Sequence, residues 1–185
     1  MKKYLYLILA LSLVACSNVT TNKQQAKQML DQGISAYQQQ DYQTAKSLFQ
    51  QAARLGQFKA PRYLALLALN GWGEPQNLAL ALDYFRQSAE QGDITSQYWL
   101  GYFYEQGIAV KRDLSKALYW YQQSAQRGDI IASPAMTALG HLYATGQGVN
   151  KNLQQAKMWY QKAALVGNVD AQQALLELYS RSTLK

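Results

Sequence analysis

Two side chains occur once each in this chain, His141 and Cys16, and their scarcity limits the chemistry open to it. His141 directly follows Gly140, and a Ser-His-Asp or Cys-His arrangement would have to be built around it without help from neighbouring motifs. One histidine cannot make a multi-histidine metal site. One cysteine can neither close an intramolecular disulfide nor form a cysteine zinc cluster. Ser182-Thr183-Leu184-Lys185 has the Ser-x-x-Lys spacing of an acyl-enzyme nucleophile, but it occupies the last four residues, and neither S-D-N nor K-T-G occurs. Gly146-Gln147-Gly148 lacks the lysine and serine of a phosphate-binding loop and reads as a turn. The 11 acidic residues show no metal-binding or glycosidase-like spacing. Asp93 and Asp129 read as helix caps, and His141 as a surface residue. The sequence therefore assigns no catalytic residue, no metal and no cofactor, and the expectation is a protein that is not an enzyme.

Composition and charge narrow the classes further. Of 185 residues, 49% are hydrophobic and 16% charged, enough apolar material for a buried core. Three prolines and 12 glycines exclude collagen-like or proline-rich architecture. Eighteen basic residues against 11 acidic give a net charge of +7. Without Lys2 and Lys3 the balance is 16 against 11, or +5. No dense Lys/Arg run occurs, so nucleic acid is not an expected partner.

Residues 1–16 read MKKYLYLILALSLVAC. The apolar run from Tyr4 to Ala15 is 12 residues long. As a helix it would reach roughly 18 Å, short of the ~30 Å hydrocarbon layer, and it fits the hydrophobic region of a signal peptide. Leu13-Val14-Ala15-Cys16 resembles the bacterial lipoprotein box. That resemblance implies cleavage before Cys16 and acylation of its sulfur and new amino group; several chains at about 0.8 kcal/mol per buried CH₂ make a lasting anchor. Ser17, rather than Asp, at the next position implies sorting to an outer membrane, facing the periplasm. Residues 16–23 then form the lipidated cysteine and a short polar tether.

The elements that follow are organised by self-similarity. DYQTAKSLFQQAARLG (41–56), NLALALDYFRQSAEQG (77–92), DLSKALYWYQQSAQRG (113–128) and NLQQAKMWYQKAALVG (152–167) align, and their final glycines are 36, 36 and 39 residues apart. Each segment opens on Asp or Asn, a helix cap, and closes on Gly, a helix stop. Apolar residues recur between them at helical spacing, as in Ala45, Leu48, Phe49 and Ala52. The preceding stretches, YWLGYFYEQ (98–106) and TALGHLYAT (137–145), are partner helices whose Gly101 and Gly140 permit close approach. The three extra residues near IIASP (130–134) imply a longer turn, with Pro134 at the start of the next helix. Trp120, Tyr121, Trp159 and Tyr160 are assigned to the core. Hairpins of this kind bury their apolar faces only by stacking.

At Leu139, Gly140, Tyr143, Gly146, Gly148, Val149, Ala156, Trp159, Tyr160, Ala163, Ala164 and Gly167 the chain resembles the SEL-like repeat, a relative of the tetratricopeptide repeat. The first pair is more similar to a plain tetratricopeptide unit. The resemblance implies an all-α, right-handed α/α solenoid: a signal peptide at 1–15, a tether at 16–23, a tetratricopeptide-like repeat at 24–56, SEL-like repeats at 57–92, 93–128 and 129–167, and a capping helix at 168–185. Residues 57–77 depart from the pattern, with Ala65 in place of Gly and Trp72 and Pro75 in the loop.

In such arrays the first helices line an inner groove. The resemblance then places a partner-binding row at Arg62, Leu66, Leu69 and Asn70; Tyr98, Tyr102 and Glu105; Thr137, His141 and Thr145; and Gln173 and Glu177. Leu30, Ile34 and Tyr37 continue it. Whether Tyr98 and Tyr102 serve the groove or fill space between repeats is left open. The implied function is a membrane-anchored scaffold or adaptor in the bacterial cell envelope that binds a peptide or protein. An immunity protein neutralising a periplasm-targeted effector is the alternative, and an envelope hydrolase is the least favoured.

Overall fold

Four Asp or Asn side chains set the helix starts that the repeat calls for. In the computed structural model, which describes residues 21–183, Asp41 Oδ1 accepts the Thr44 N–H at 3.2 Å and opens helix α2 (Tyr42–Arg54). Asn77 takes the Leu80 N–H at 2.9 Å before α4 (Leu78–Glu90). Asp113 takes that of Lys116 at 3.0 Å before α6 (Leu114–Ala125). Asn152 takes that of Gln155 at 3.0 Å before α8 (Leu153–Leu165). Each bond satisfies an amide that the first helical turn leaves without a partner. Gly56, Gly92, Gly128 and Gly167, just past these helices, all have positive φ.

The partner helices are α1 (21–38 among the described residues), α3 (Ala60–Asn70), α5 (Ile94–Gln106), α7 (Ser133–Thr145) and α9 (Val169–Thr183). Pro134 lies in the first turn of α7, and Asp129 accepts the Ile131 and Ala132 N–H groups at 3.1 Å in the longer turn before it. No strand occurs among the described residues. The chain is all-α, of the helical solenoid class. The lipoprotein-box residues and Leu184-Lys185 lie outside the described residues.

The chain divides into two compact units, Met1–Gln76 and Asn77–Lys185. In the first, α2 packs on α3, and the centre is aromatic. Phe49 is fully buried and stacks on Tyr63 with centroids 4.7 Å apart. Tyr37 meets Tyr42, Tyr63 and Trp72 edge-on. Trp72 in turn stacks on Tyr42 at 5.2 Å. The loop tryptophan that departs from the repeat thus closes this cluster, and an ion pair between Lys46 and Glu74 ties the same loop to α2. Ala65, the other departure, is fully buried.

In the second unit each helix from α4 to α9 packs on the next. Two contacts repeat. A β-carbon added to Gly101 would lie 2.7 Å from Cδ1 of Tyr121, and one added to Gly140 would lie 2.4 Å from Cε1 of Tyr160. The rings occupy space that only glycine leaves empty, so the two helices of each pair approach closely. Tyr121 and Tyr160 are 1% and 2% exposed. Trp120 and Trp159, expected in the core beside them, are instead half-buried. One residue advances a helix by about 100°, so a Trp-Tyr neighbour pair cannot place both rings against the same partner.

Helix α9 repeats the register of α7: Ala171, Leu175 and Tyr179 stand as Ala135, Leu139 and Tyr143 do. Leu176, however, takes the place of Gly140 and is 65% exposed.

Candidate functional site

The second unit assembles a cavity of about 570 Å³ between α5, α7 and α9. Its wall on α5 is Tyr98, Tyr102, Glu105 and Gln106, spaced so that the first three share one helix face. Pro134, Thr137, Ala138 and His141 supply the α7 wall, and Asn168 and Asp170 close it at the start of α9. Tyr121 reaches it from α6. A second cavity of about 160 Å³ shares His141 and is lined by Ala144, Thr145, Tyr160, Ala174, Glu177 and Leu178.

Two tyrosines cross the helix layer to reach these cavities. The Tyr121 hydroxyl donates to Glu105 Oε2 at 2.6 Å, and the Tyr160 hydroxyl shares a hydrogen bond of 2.9 Å with His141 Nδ1. Burial pushes the Tyr121 hydroxyl far up in pKa, and the bond to Glu105 adds to it. Burial also pushes Tyr160 up to about 12, with the Glu177 charge contributing. Tyr98 is raised by burial and then by Tyr102, Glu105 and Asp170, so carboxylates from α5 and α9 act on one ring.

Of the residues the sequence assigned to a groove, Tyr98, Tyr102, Glu105, Thr137 and His141 line the larger cavity, and His141, Thr145 and Glu177 the smaller. Two of them are less free than periodicity implied. Thr137 is 7% exposed and donates to the Ser133 carbonyl at 3.0 Å, while Thr145 donates to that of His141 at 2.8 Å. Gln173 lines neither cavity and bonds Glu177 at 3.3 Å.

Arg62, Leu66, Leu69 and Asn70 belong to the first unit. The Arg62 guanidinium sits 4.7 Å from the Tyr63 ring centroid and donates to its hydroxyl at 3.1 Å. Asn70 folds back onto the Leu66 carbonyl at 2.8 Å, and Leu66 and Leu69 are half-buried. Leu30 is buried at 6%, and Tyr37 belongs to the aromatic centre.

Periodicity missed Tyr121, Tyr160, Asn168 and Asp170. The two tyrosines did leave a signal. The eighth residue after each cap is Phe49, Phe85, Tyr121 and Tyr160 in turn, and a hydroxyl added to a buried ring needs a partner at its far end. Asn168 and Asp170 read as a helix start, and Asn168 does cap α9 by accepting the Ala171 N–H at 2.9 Å. Among the described residues no group of three or more His, Cys, Asp or Glu could hold a metal ion.

A stack of short helix pairs with an aromatic, polar cavity on one helix layer defines an α/α repeat protein. The Sel1 repeat model matches residues 26–57, 61–93, 94–129 and 133–168, and the chain belongs to the Sel1 repeat family. Its structure is similar to a protective antigen of uropathogenic Escherichia coli with an SLR fold (31% identity, TM-score 0.78, covering 89% of this chain and 36% of that one). It is also similar to a Sel1 repeat protein of Oxalobacter formigenes (26%, 0.75, 83% and 62%) and to cysteine-rich protein B of Helicobacter pylori (27%, 0.55, 70% and 96%). The chain thus spans 36% and 62% of the first two structures. No curated protein matched by sequence. Sel1 repeat proteins generally mediate protein–protein interaction, and the repeat is an interaction scaffold fold.

Proposed function

We propose that this chain is a lipid-anchored scaffold or adaptor of the bacterial cell envelope, held at the periplasmic face of an outer membrane through Cys16. It binds a protein partner in the cavity between α5, α7 and α9. The observation that carries the binding reading is the convergence of Tyr98, Tyr102, Glu105, His141 and Asp170, from three helices, on one open cavity of about 570 Å³. That volume lies within the ~300–1,000 Å³ of ordinary ligand pockets. Tyrosine is also a residue type that anchors interfaces, because it buries a large ring while keeping a polar tip. The anchor rests on the lipoprotein-box resemblance of Leu13-Val14-Ala15-Cys16 and on Ser17.

Two experiments test the two halves. Cys16→Ser should abolish incorporation of labelled palmitate and move the protein from the membrane to the soluble fraction; a variant still labelled and sedimenting with membranes rejects the anchor. Crosslinked partner capture from native membranes should fall at least fivefold in Tyr98→Ala and Tyr102→Ala and hold in Tyr119→Ala, whose exposed side chain lines neither cavity. Equal capture by all three rejects the cavity as the binding site. If the captured protein is an antibacterial effector, the adaptor reading gives way to the immunity one.

A further inference from the structure

The cavity carries a charge opposite to that of the molecule. The chain has a net charge of +7, yet Glu105 and Asp170 line the larger cavity, Glu177 lines the smaller, and no Lys or Arg among the described residues lines either. Most other carboxylates are already occupied. Glu74 pairs with Lys46, Asp83 with Arg86, Asp113 with Lys116 and Asp129 with Arg127, while Asp41 and Asp93 cap helices.

The groove carboxylates have neutral donors instead: Glu105 the Tyr121 hydroxyl, and Glu177 the Gln173 amide. An ionised carboxylate has about four acceptor sites, so each keeps capacity for a charged donor. Arg112 approaches this end of α5 through the Glu105 backbone carbonyl, at 2.8 Å, and through Gln147 at 3.1 Å.

Two tyrosine rings complete the setting. Tyr98 and Tyr102 line the same wall as Glu105, and aromatic faces attract cations. The shared residue His141 joins this cavity to the smaller one beside Glu177, a run that suits a chain lying along α5, α7 and α9. An acidic segment would meet only like charge there.

We propose that the cavity receives an arginine or lysine side chain of an extended peptide segment of the partner, held by Glu105 and Asp170 against Tyr98 and Tyr102. This rests on the cavity being the partner site, and it adds the chemistry of the occupant.

The test is retention of positional-scanning hexapeptide pools, each with one residue fixed, on the immobilised full chain. Pools fixed as Arg or Lys should be retained at least tenfold over pools fixed as Glu or Leu. That preference should vanish in the Glu105→Gln/Asp170→Asn double variant, in which Gln still accepts the Tyr121 hydroxyl. It should hold within twofold in Asp83→Asn/Glu90→Gln, which removes the same charge from α4. Retention of Leu or Glu pools at the same level, absence of any retention, survival of the preference in the first variant, or its loss in the second would each overturn the proposal. Partner capture separates the two readings. Capture lost in Tyr98→Ala but kept in Glu105→Gln/Asp170→Asn rejects the cationic occupant and keeps the site, whereas capture kept in both rejects the site itself.

Discussion

Tyr160 lies across the helix interface with its ring where a side chain of Gly140 would be, and a β-carbon at 140 would stand 2.4 Å and 2.5 Å from two ring atoms. The same relationship joins Gly101 to Tyr121, and Gly33 to Phe49 in the first unit. Close packing at these three positions therefore depends on a glycine that is unfavourable to the helix containing it by about 1 kcal/mol relative to Ala. Contact with the ring outweighs that cost.

Gly140→Ala should for this reason destabilise the protein, although it improves local helix propensity. Overpacking typically costs about 1–3 kcal/mol, and a flat ring fixed at 2% exposure has little room to move. A net loss of about 1–2 kcal/mol in urea denaturation is expected. Combining it with Tyr160→Leu should cost less than the sum of the two single changes, which a double-mutant cycle reads directly.

Ala109 has a φ of 54°, in the left-handed region, at the loop position where the next repeat has Gly148 at 71°. A residue with a β-carbon is strained there by roughly 1 kcal/mol. Ala109→Gly should raise stability by about 0.5 kcal/mol once the greater freedom of the unfolded glycine chain is counted. A higher urea midpoint with unchanged slope is the expected result.

Alkaline pH should weaken the second unit in a defined window. Tyr160 ionises near 10 when unfolded and, held by burial and then by the Glu177 charge, at about 12 when folded. Its contribution is complete below pH 10 and is lost as pH rises through 12. Absorbance titration at 295 nm should show late-ionising tyrosines, one fewer in Tyr160→Phe, and Tyr121 later still.

Acid should act through the caps. The Asp41 carboxyl is held below the usual carboxylate range by its hydrogen bonds from Thr44. At Asp129 desolvation pushes upward, but the Ala132 N–H and Arg127 outweigh it, and the net shift is down. Both contributions are present above the unfolded value of about 3.9 and disappear as pH falls through the folded ones. Asp41→Ala and Asp129→Ala should each flatten the acid end of the stability profile, measured by circular dichroism.

Asn152 takes two amides of the first turn of α8, from Gln154 and Gln155. Asn152→Ala should cost about 1 kcal/mol and Asn152→Ser much less, because serine keeps an acceptor oxygen at the same position. Equal losses in the two variants would show that the cap bond is not the source.

The helices were legible in the sequence because their signals are local. A capping Asp or Asn, apolar residues at helical spacing and a closing glycine act within one turn, and four near-copies made the pattern plain. The face of Tyr98, Tyr102 and Glu105 was legible for the same reason, since residues three and four apart share one side of a helix. Four further features were settled only by the tertiary structure: Tyr121 reaching Glu105, Tyr160 reaching His141, Asp170 joining them from α9, and Trp72 closing the aromatic cluster of the first unit. Those pairings connect residues 16, 19, 72 and 30 positions apart, taking Asp170 with Tyr98. No short-range spacing encodes such distances, because they depend on how deeply one helix settles on the next. That depth is governed by the volume left empty at a glycine and filled by the ring opposite.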